Sequence, residues 1–247
     1  MAVRADDDRS GPGDEAPDLG ALLRTVADGA PEARDRAARA LGDRRDPRAI
    51  PALTVAMEGG RGGLGVVWAL TQFDDPATAA PLAAALSAPD ATARAMAAGR
   101  LADIGDRDAV PALLAALGDE DAHVREEVAR ALGRVGDPAA LGALLTALHD
   151  DAGPHVREEA ATAVGALAGE DADAAAALFD AVGDRHVAVR RAAAEALARM
   201  GPATQARLRA LASGPPSRGR DAAAGALAAL QAGRLTPAAS GPGVPKT

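Results

Sequence analysis

Residues 106–136 read DRDAVPALLAALGDEDAHVREEVARALGRVG, and this stretch decides the fold. Val110, Leu113, Leu114 and Leu117 form an apolar stripe at helical spacing. Gly118, Asp119 and Asp121 interrupt it. Val124, Val128, Leu132 and Val135 then fall at i, i+4, i+8 and i+11, a second stripe of the same period. Gly136 follows at the position where a helix commonly ends in a left-handed residue. One short stretch thus encodes two helices and the turn between them.

Working outward, the next stretch repeats the design. Residues 137–169 read DPAALGALLTALHDDAGPHVREEAATAVGALAG. Further copies begin near Asp46, Asp75, Glu170 and Pro202, and a truncated one near Leu19. A column fixes their register. Arg34, Arg94, Arg125, Arg157, Arg190 and Arg220 each stand seven residues before an aliphatic: Leu41, Leu101, Leu132, Val164, Leu197 and Leu227. The second unit keeps Leu70 but has Gly63 in the arginine place. Small residues recur four places after the column, at Ala38, Ala98, Ala129, Ala161, Ala194 and Ala224, with Val67 in the second unit. Asp46-Pro47, Asp75-Pro76 and Asp137-Pro138 open the first helices of their units, Asp as a cap and Pro where no N–H is needed.

A two-helix unit of this size buries its apolar face only by stacking on copies of itself. The reading predicts an all-α fold, a right-handed α-solenoid (superhelix) of about seven stacked helical hairpins. Its units lie near 19–45, 46–74, 75–105, 106–136, 137–169, 170–201 and 202–233. Residues 1–18, with six acids, are expected to form a disordered acidic tail, and 234–247, rich in Pro and Gly, a second disordered tail.

Composition agrees. Ala and Leu supply 69 and 26 of the 247 residues, whereas Ile supplies only 2, which favours helix over sheet. Cys is absent, which excludes a disulfide scaffold and any thiolate metal site. The formal net charge of −8 speaks against general nucleic-acid binding. No run of about 18 apolar residues offers a membrane span, and the amino terminus lacks a signal-peptide pattern. The expected setting is cytoplasmic.

The repeating pattern D-P-x-A-[VI]-x-x-L-x-x-A-L-x-D-x-x-x-x-V-R-x-x-A-x-x-A-L-G resembles the short HEAT repeat of the phycobilisome-lyase type. The resemblance covers about residues 19–233 and is strongest at 106–201. It implies that the second helix of each unit lines a concave surface. It also implies that the Asp before that helix and the Arg on it form a ladder between units. Such repeats serve many tasks, so the resemblance speaks for fold more than for function.

Six arginines in one column read as this structural ladder: Arg34, Arg94, Arg125, Arg157, Arg190 and Arg220. The rival reading is a row of anion sites. A forked guanidinium suits a neighbouring carboxylate or loop carbonyls. Around Arg220 stands only Ser213-Gly-Pro-Pro-Ser217, so the ladder is expected to end there.

The positions opposite the core stripe are uneven from unit to unit. The middle units carry Glu126, Glu127, Glu158 and Glu159 beside Arg130. The second and third expose Leu64, Trp68 and Met96, flanked by Arg39. Leu64, Trp68 and Met96 read as apolar anchors for a protein partner, Arg39 and Arg130 as contacts to its acids, and the four glutamates as contacts to its bases. For Trp68 two readings stay open: an anchor, or a ring filling the space left by glycines in a degenerate unit. Gly59, Gly60, Gly62 and Gly63 are read as a flexible turn and not a phosphate loop, since no strand precedes them and no G-K-[ST] follows. Phe73 is read as core.

No catalytic residues are assigned. His123, His155 and His186 are each followed by Val, where iron-binding HEAT enzymes such as deoxyhypusine hydroxylase carry His-Glu pairs, so no metal and no cofactor is expected. These histidines are read as exposed turn residues. Serines fall in predicted loops and tails. The leading functional reading is a non-catalytic protein–protein interaction scaffold or adaptor, monomeric, binding another protein on the concave face, with no nucleic-acid or membrane partner. The alternative is an enzyme or enzyme subunit acting on a tetrapyrrole or other small ligand, as the phycobilin-lyase resemblance suggests.

Overall fold

The computed structural model describes residues 18–236. The two expected tails lie outside the described residues, apart from Asp18 and residues 234–236. Fourteen α-helices follow one another, and no strand occurs among the described residues. They pair in chain order as α1 (Leu19–Asp28) with α2 (Pro31–Arg44), and α3 (Ile50–Glu58) with α4 (Leu64–Thr71). Next come α5 (Ala79–Ala85) with α6 (Ala91–Ile104), and α7 (Val110–Ala116) with α8 (Ala122–Val135). The last pairs are α9 (Leu141–Asp150) with α10 (Pro154–Leu167), α11 (Ala172–Ala181) with α12 (Val187–Met200), and α13 (Pro202–Ser213) with α14 (Arg220–Gln231). The fourteen helices therefore form seven hairpins, stacked as an α-solenoid.

Local chemistry sets the helix ends. The Asp-Pro pairs open a single 3-10 turn ahead of the α-helix: Pro47–Ala49, Pro76–Thr78 and Pro138–Ala140. In each, the Asp side chain accepts from the N–H two residues on. Asp106 does the same for the turn Arg107–Ala109 without a proline. At the other end, Gly105 and Gly136 close α6 and α8 with φ of 71° and 74°. Arg45 takes the same left-handed place after α2, at φ 49°.

Each of the middle hairpins contributes one large residue from each helix to a continuous core. Leu53, Leu82, Leu113, Leu144 and Leu178 come from first helices and are fully buried. Leu41, Leu70, Leu101, Leu132, Val164 and Leu197, the column seven places after the arginines, come from second helices and are equally buried. Leu227 of the last hairpin is only half-buried.

The second helices stack directly on one another from α2 to α14. Ala38, Ala98, Ala129, Ala161 and Ala194 are buried in this layer, whereas Ala224 is exposed because no described helix follows α14. The closest approach lies elsewhere on the same helices. A methyl group added to Gly133 would fall 2.7 Å from the Ala163 Cβ, and one on Gly165 only 2.4 Å from the Ala196 Cβ. Neighbouring backbones touch there because neither side carries more than a methyl.

The glycine-rich segment of the second hairpin forms the turn between α3 and α4, and several of its glycines have specific contacts. Gly60 adopts φ +65°, and Arg61 N–H donates to the Ala56 carbonyl at 2.9 Å. A side chain on Gly62 would collide with Met57 Sδ, and one on Gly65 would lie 2.6 Å from the Asp35 carbonyl oxygen. Gly65 thus lets α4 approach the backbone of α2, Gly62 leaves room for Met57 of α3, and Gly60 supplies the left-handed turn.

Candidate functional site: an arginine ladder and the second-helix face

The arginine column folds into one repeated geometry. Arg94, Arg125 and Arg157 are each the fourth residue of their helix. Arg94 Nη1 donates to the carbonyls of Ala88 and Pro89 in its own turn, at 2.8 and 3.1 Å. Arg125 Nη1 donates likewise to Asp119 and Glu120, and Arg157 Nη1 to Asp151 and Ala152. The Nε–Nη2 edge then reaches into the following unit. Arg94 forks onto Asp119 at 2.7 and 2.9 Å, Arg125 onto Asp151 at 2.7 and 3.0 Å, and Arg157 onto Asp184 at 2.9 and 3.1 Å.

Each of these aspartates has further duties. Its Oδ1 accepts a backbone N–H of its own turn, from Asp121, Gly153 and His186 respectively. Its carbonyl accepts from its own unit's arginine. The result is an unbroken alternation of Arg94, Asp119, Arg125, Asp151, Arg157, Asp184 and Arg190. The Arg94 hydrogen bond holds the Asp119 carboxyl below the ordinary aspartate range. For Asp151 and Asp184 burial pushes upward, but the bonds from Arg125 and Arg157 outweigh it and the pKa falls.

The ends of the column differ. Arg34 donates to the Gly29 carbonyl at 2.8 Å and the Arg61 carbonyl at 3.3 Å, and its buried Nε has no partner. Arg190 repeats the carbonyl contacts, to Asp184 at 2.9 Å and Arg185 at 3.1 Å, but meets no carboxylate among the described residues. Arg220 is the first residue of α14 and reaches only its neighbour Asp221, at 3.9 Å.

The exposed columns of the second helices carry the other singled-out residues. Arg130 is gripped by three carboxylates. Its Nη2 donates to Glu126 and Glu159, both at 3.0 Å, and its Nη1 to Glu127. Burial lowers the Arg130 pKa, yet the bonds to Glu159 and Glu127 outweigh it and hold the charge firmly. Glu126, Glu127 and Glu159 thus meet at one guanidinium and do not stand as loose acids. Glu158 stands apart, between His155 at 3.5 Å and Arg191 at 3.4 Å.

Leu64, Trp68 and Met96 are half-buried, each resting on the core. The Trp68 ring lies over α2, where a methyl on Gly42 would be 2.9 Å from its Cζ3. The glycine that makes room for it belongs to the first unit, a relation that no within-unit reading of the second unit finds. Arg39 is exposed on α2. The structure therefore joins Arg130 with three glutamates, and places Leu64 and Trp68 on α4 beside Met96 on α6.

His123 and His155 are exposed, as the turn reading has it, but His186 is half-buried and meets the His155 ring edge-on at 5.8 Å. His123, Glu126 and Glu127 bring ligand atoms within 4.8 Å of one another. Arg130, bonded to both glutamates, already supplies the positive charge there. A cleft of about 510 Å³ between α7 and α9, lined by Leu114, Leu117, Ala143 and Ala147, was not evident in the repeat pattern.

The family described as HEAT repeats matches residues 79–165 and 143–228. The chain belongs to the HEAT-repeat family. The PBS lyase HEAT-like repeat matches residues 33–59. Among solved structures, the complex of CpcE and CpcF of phycocyanin lyase from Nostoc sp. PCC7120 is similar at 28% identity and a TM-score of 0.50, covering 62% of this chain and 99% of that one. An engineered protein is similar in fold at 22% identity and a TM-score of 0.55, covering 85% of this chain and 67% of its own. The E. coli protein YibA is similar in fold at 18% identity and a TM-score of 0.54, over 80% of this chain and 77% of its own. A comparison with curated proteins finds no match. No helix among the described residues is long and apolar enough to cross a membrane.

Proposed function

We propose that this HEAT-repeat chain is a non-catalytic interaction scaffold that holds a protein partner on the face formed by its second helices. One observation carries the reading: α2 to α14 stack into one unbroken layer whose outer residues vary from unit to unit while its inner residues repeat. Repetition inside answers to packing, and variation outside suits recognition of a particular surface. In this reading the second helices form the concave side, with Leu64, Trp68 and Met96 as apolar anchors. Arg39 and the outer edges of the Arg130 cluster, with Glu126, Glu127, Glu158 and Glu159, supply polar contacts. A large aromatic held half-exposed on a rigid helix is the type of residue that dominates interface energies.

The test is affinity capture with the wild-type chain and with Trp68→Ala, followed by a binding isotherm for the captured partner. Trp68→Ala is expected to weaken binding by about 2 kcal/mol or more with helicity kept. If Trp68→Ala instead costs about 3 kcal/mol of stability and leaves the affinity of the folded fraction intact, the ring is packing and the anchor assignment fails.

A second reading is favoured by the 28% identity to the phycocyanin-lyase complex, which extends over 99% of that chain. In it, the protein is a subunit acting on a tetrapyrrole. New visible absorbance on mixing the purified chain with a linear tetrapyrrole would favour this second reading over the scaffold.

A further inference from the structure

The ladder contains its own description of an incomplete site. In three successive units the arginine is fixed by two carbonyls through Nη1, and its Nε–Nη2 edge holds the carboxylate of the next unit. Arg190 is fixed by the same two carbonyls, six and five residues before it, through the same nitrogen. Its free edge therefore faces the seventh unit as the Arg157 edge faces the sixth. There the place of the aspartate, six residues before the column, is taken by Gly214, and the turn Gly214–Gly219 contains no acid.

Arg190 also lines a cleft of about 410 Å³ between α12 and α14. Arg190 and Arg218 line it together with Val187, Ala222 and Ala226, and so does Arg191, which lies 3.4 Å from Glu158. Glu195 and Asp221 also border it, but Glu195 lies 3.5 Å from Arg199 and Asp221 3.9 Å from Arg220. Val187 is 65% exposed, an aliphatic side chain left open beside two cations.

We propose that the α12–α14 cleft is a receptor for a carboxylate side chain of a polypeptide partner, with Arg190 forking onto it as Arg157 forks onto Asp184. Arg218 adds a second positive charge. Val187, Ala222 and Ala226 fit an aliphatic residue next to the acid, which a bare ion would not supply. Bidentate guanidinium pairing is both the strongest and the most directional way to read such a group. Three hairpins lie between the cleft and Trp68, so this inference does not rest on the α4 patch.

The experiment follows the arginine Nε–Hε signals of the full ¹⁵N-labelled chain by NMR. The probe is acetyl-Leu-Asp-Leu-amide, with the Asn counterpart, sodium acetate and inorganic phosphate as controls. In the unliganded protein the Hε signals of Arg94, Arg125 and Arg157 should exchange slowly and that of Arg190 rapidly. The Asp peptide should shift the Arg190 signal saturably and leave the other three in place. Replacing Asp by Asn, or introducing Arg218→Gln at an exposed position, should weaken the response by about tenfold or more. The proposal is overturned if Arg190 Hε is already as protected as that of Arg157, or if it fails to respond at peptide concentrations on the order of millimolar. An equal response to acetate or phosphate would overturn the polypeptide assignment.

Discussion

Glycine has two opposite meanings on these helices. Gly165 sits where α10 touches α12, and Gly225 sits on α14 with nothing within 4 Å of a would-be Cβ. Alanine is the better helix former by about 1 kcal/mol. Gly225→Ala should therefore stabilise the chain by about that amount. Gly165→Ala should destabilise it by about 1–3 kcal/mol through overpacking against Ala196. Denaturant melts of the two variants, with midpoints moving in opposite directions, would check this. A common direction would mean that the inter-unit contact yields more than the geometry implies. The sequence places Gly225 five positions after Arg220, opposite the core stripe, but does not show that Gly165 meets Ala196. The difference lies in the neighbouring unit, and pairing across units is invisible to a pattern read along one chain. The same reason hid the partner of Trp68, since Gly42 belongs to the preceding hairpin. Core residues such as Leu132 and Phe73 were legible because helical period alone places them.

At the level of the element, the unit is a hairpin whose turn is tied by one aspartate to the arginine before it. Asp184→Ala removes the fork of Arg157 and the bond from His186 N–H together. Leaving a largely buried guanidinium without its carboxylate should cost about 3 kcal/mol. Asp171→Ala, which removes only the cap bond from Ala174 N–H, should cost about 1 kcal/mol. Thermal melts of both would show the ratio. The ladder also has a pH signature. Folded Asp119, Asp151 and Asp184 have lowered pKa values. A lowered folded pKa means stability that is fully present above the unfolded value of about 3.9 and is lost as pH falls through the folded value. The stability gap between wild type and Asp184→Ala should thus be constant from neutral pH to about 5 and close as the pH falls through the lowered folded value. A gap that persists in strong acid would show that the carboxylate's charge is not what the ladder uses. The column itself was plain in the sequence, but the last fork is that of Arg157, and Arg190, one unit before Arg220, is the last arginine joined to the ladder. Which acid each arginine takes was not plain: Asp90 and Asp121 precede their arginines closely, yet they cap helices, while the fork goes forward to the next unit.

Across the whole molecule, stability is shared between neighbours, so a unit with poor contacts on one side opens first. The seventh hairpin has a half-buried Leu227, an exposed Ala224 and no ladder aspartate. Native-state hydrogen exchange should find α13 and α14 opening at a lower free energy than α8 and α10, and the peptide that occupies the α12–α14 cleft should raise it. Uniform protection along the stack would contradict the nearest-neighbour picture. The fold class was readable because seven copies of a weak signal reinforce each other. The proposed binding face rests on irregular positions, and an irregular position has no second copy to confirm it. Arg130 illustrates this. It scanned as a cation for a partner's acids, yet three glutamates from two helices already surround it.

The Arg–Asp alternation from Arg94 to Arg190 runs along one edge of four consecutive hairpins, at the turns that precede the second helices. A row of forked ionic links resists extension far more than the methyl-on-methyl contacts between Gly133 and Ala163 or Gly165 and Ala196. The stack is accordingly anisotropic as an elastic body. Under load it should flex like a book about its binding, with the turn edge nearly inextensible and the opposite edge fanning open. In the proposed reading, a partner held on the second-helix face would rest on a clamp whose hinge edge is electrostatic and whose stiffness falls with acid.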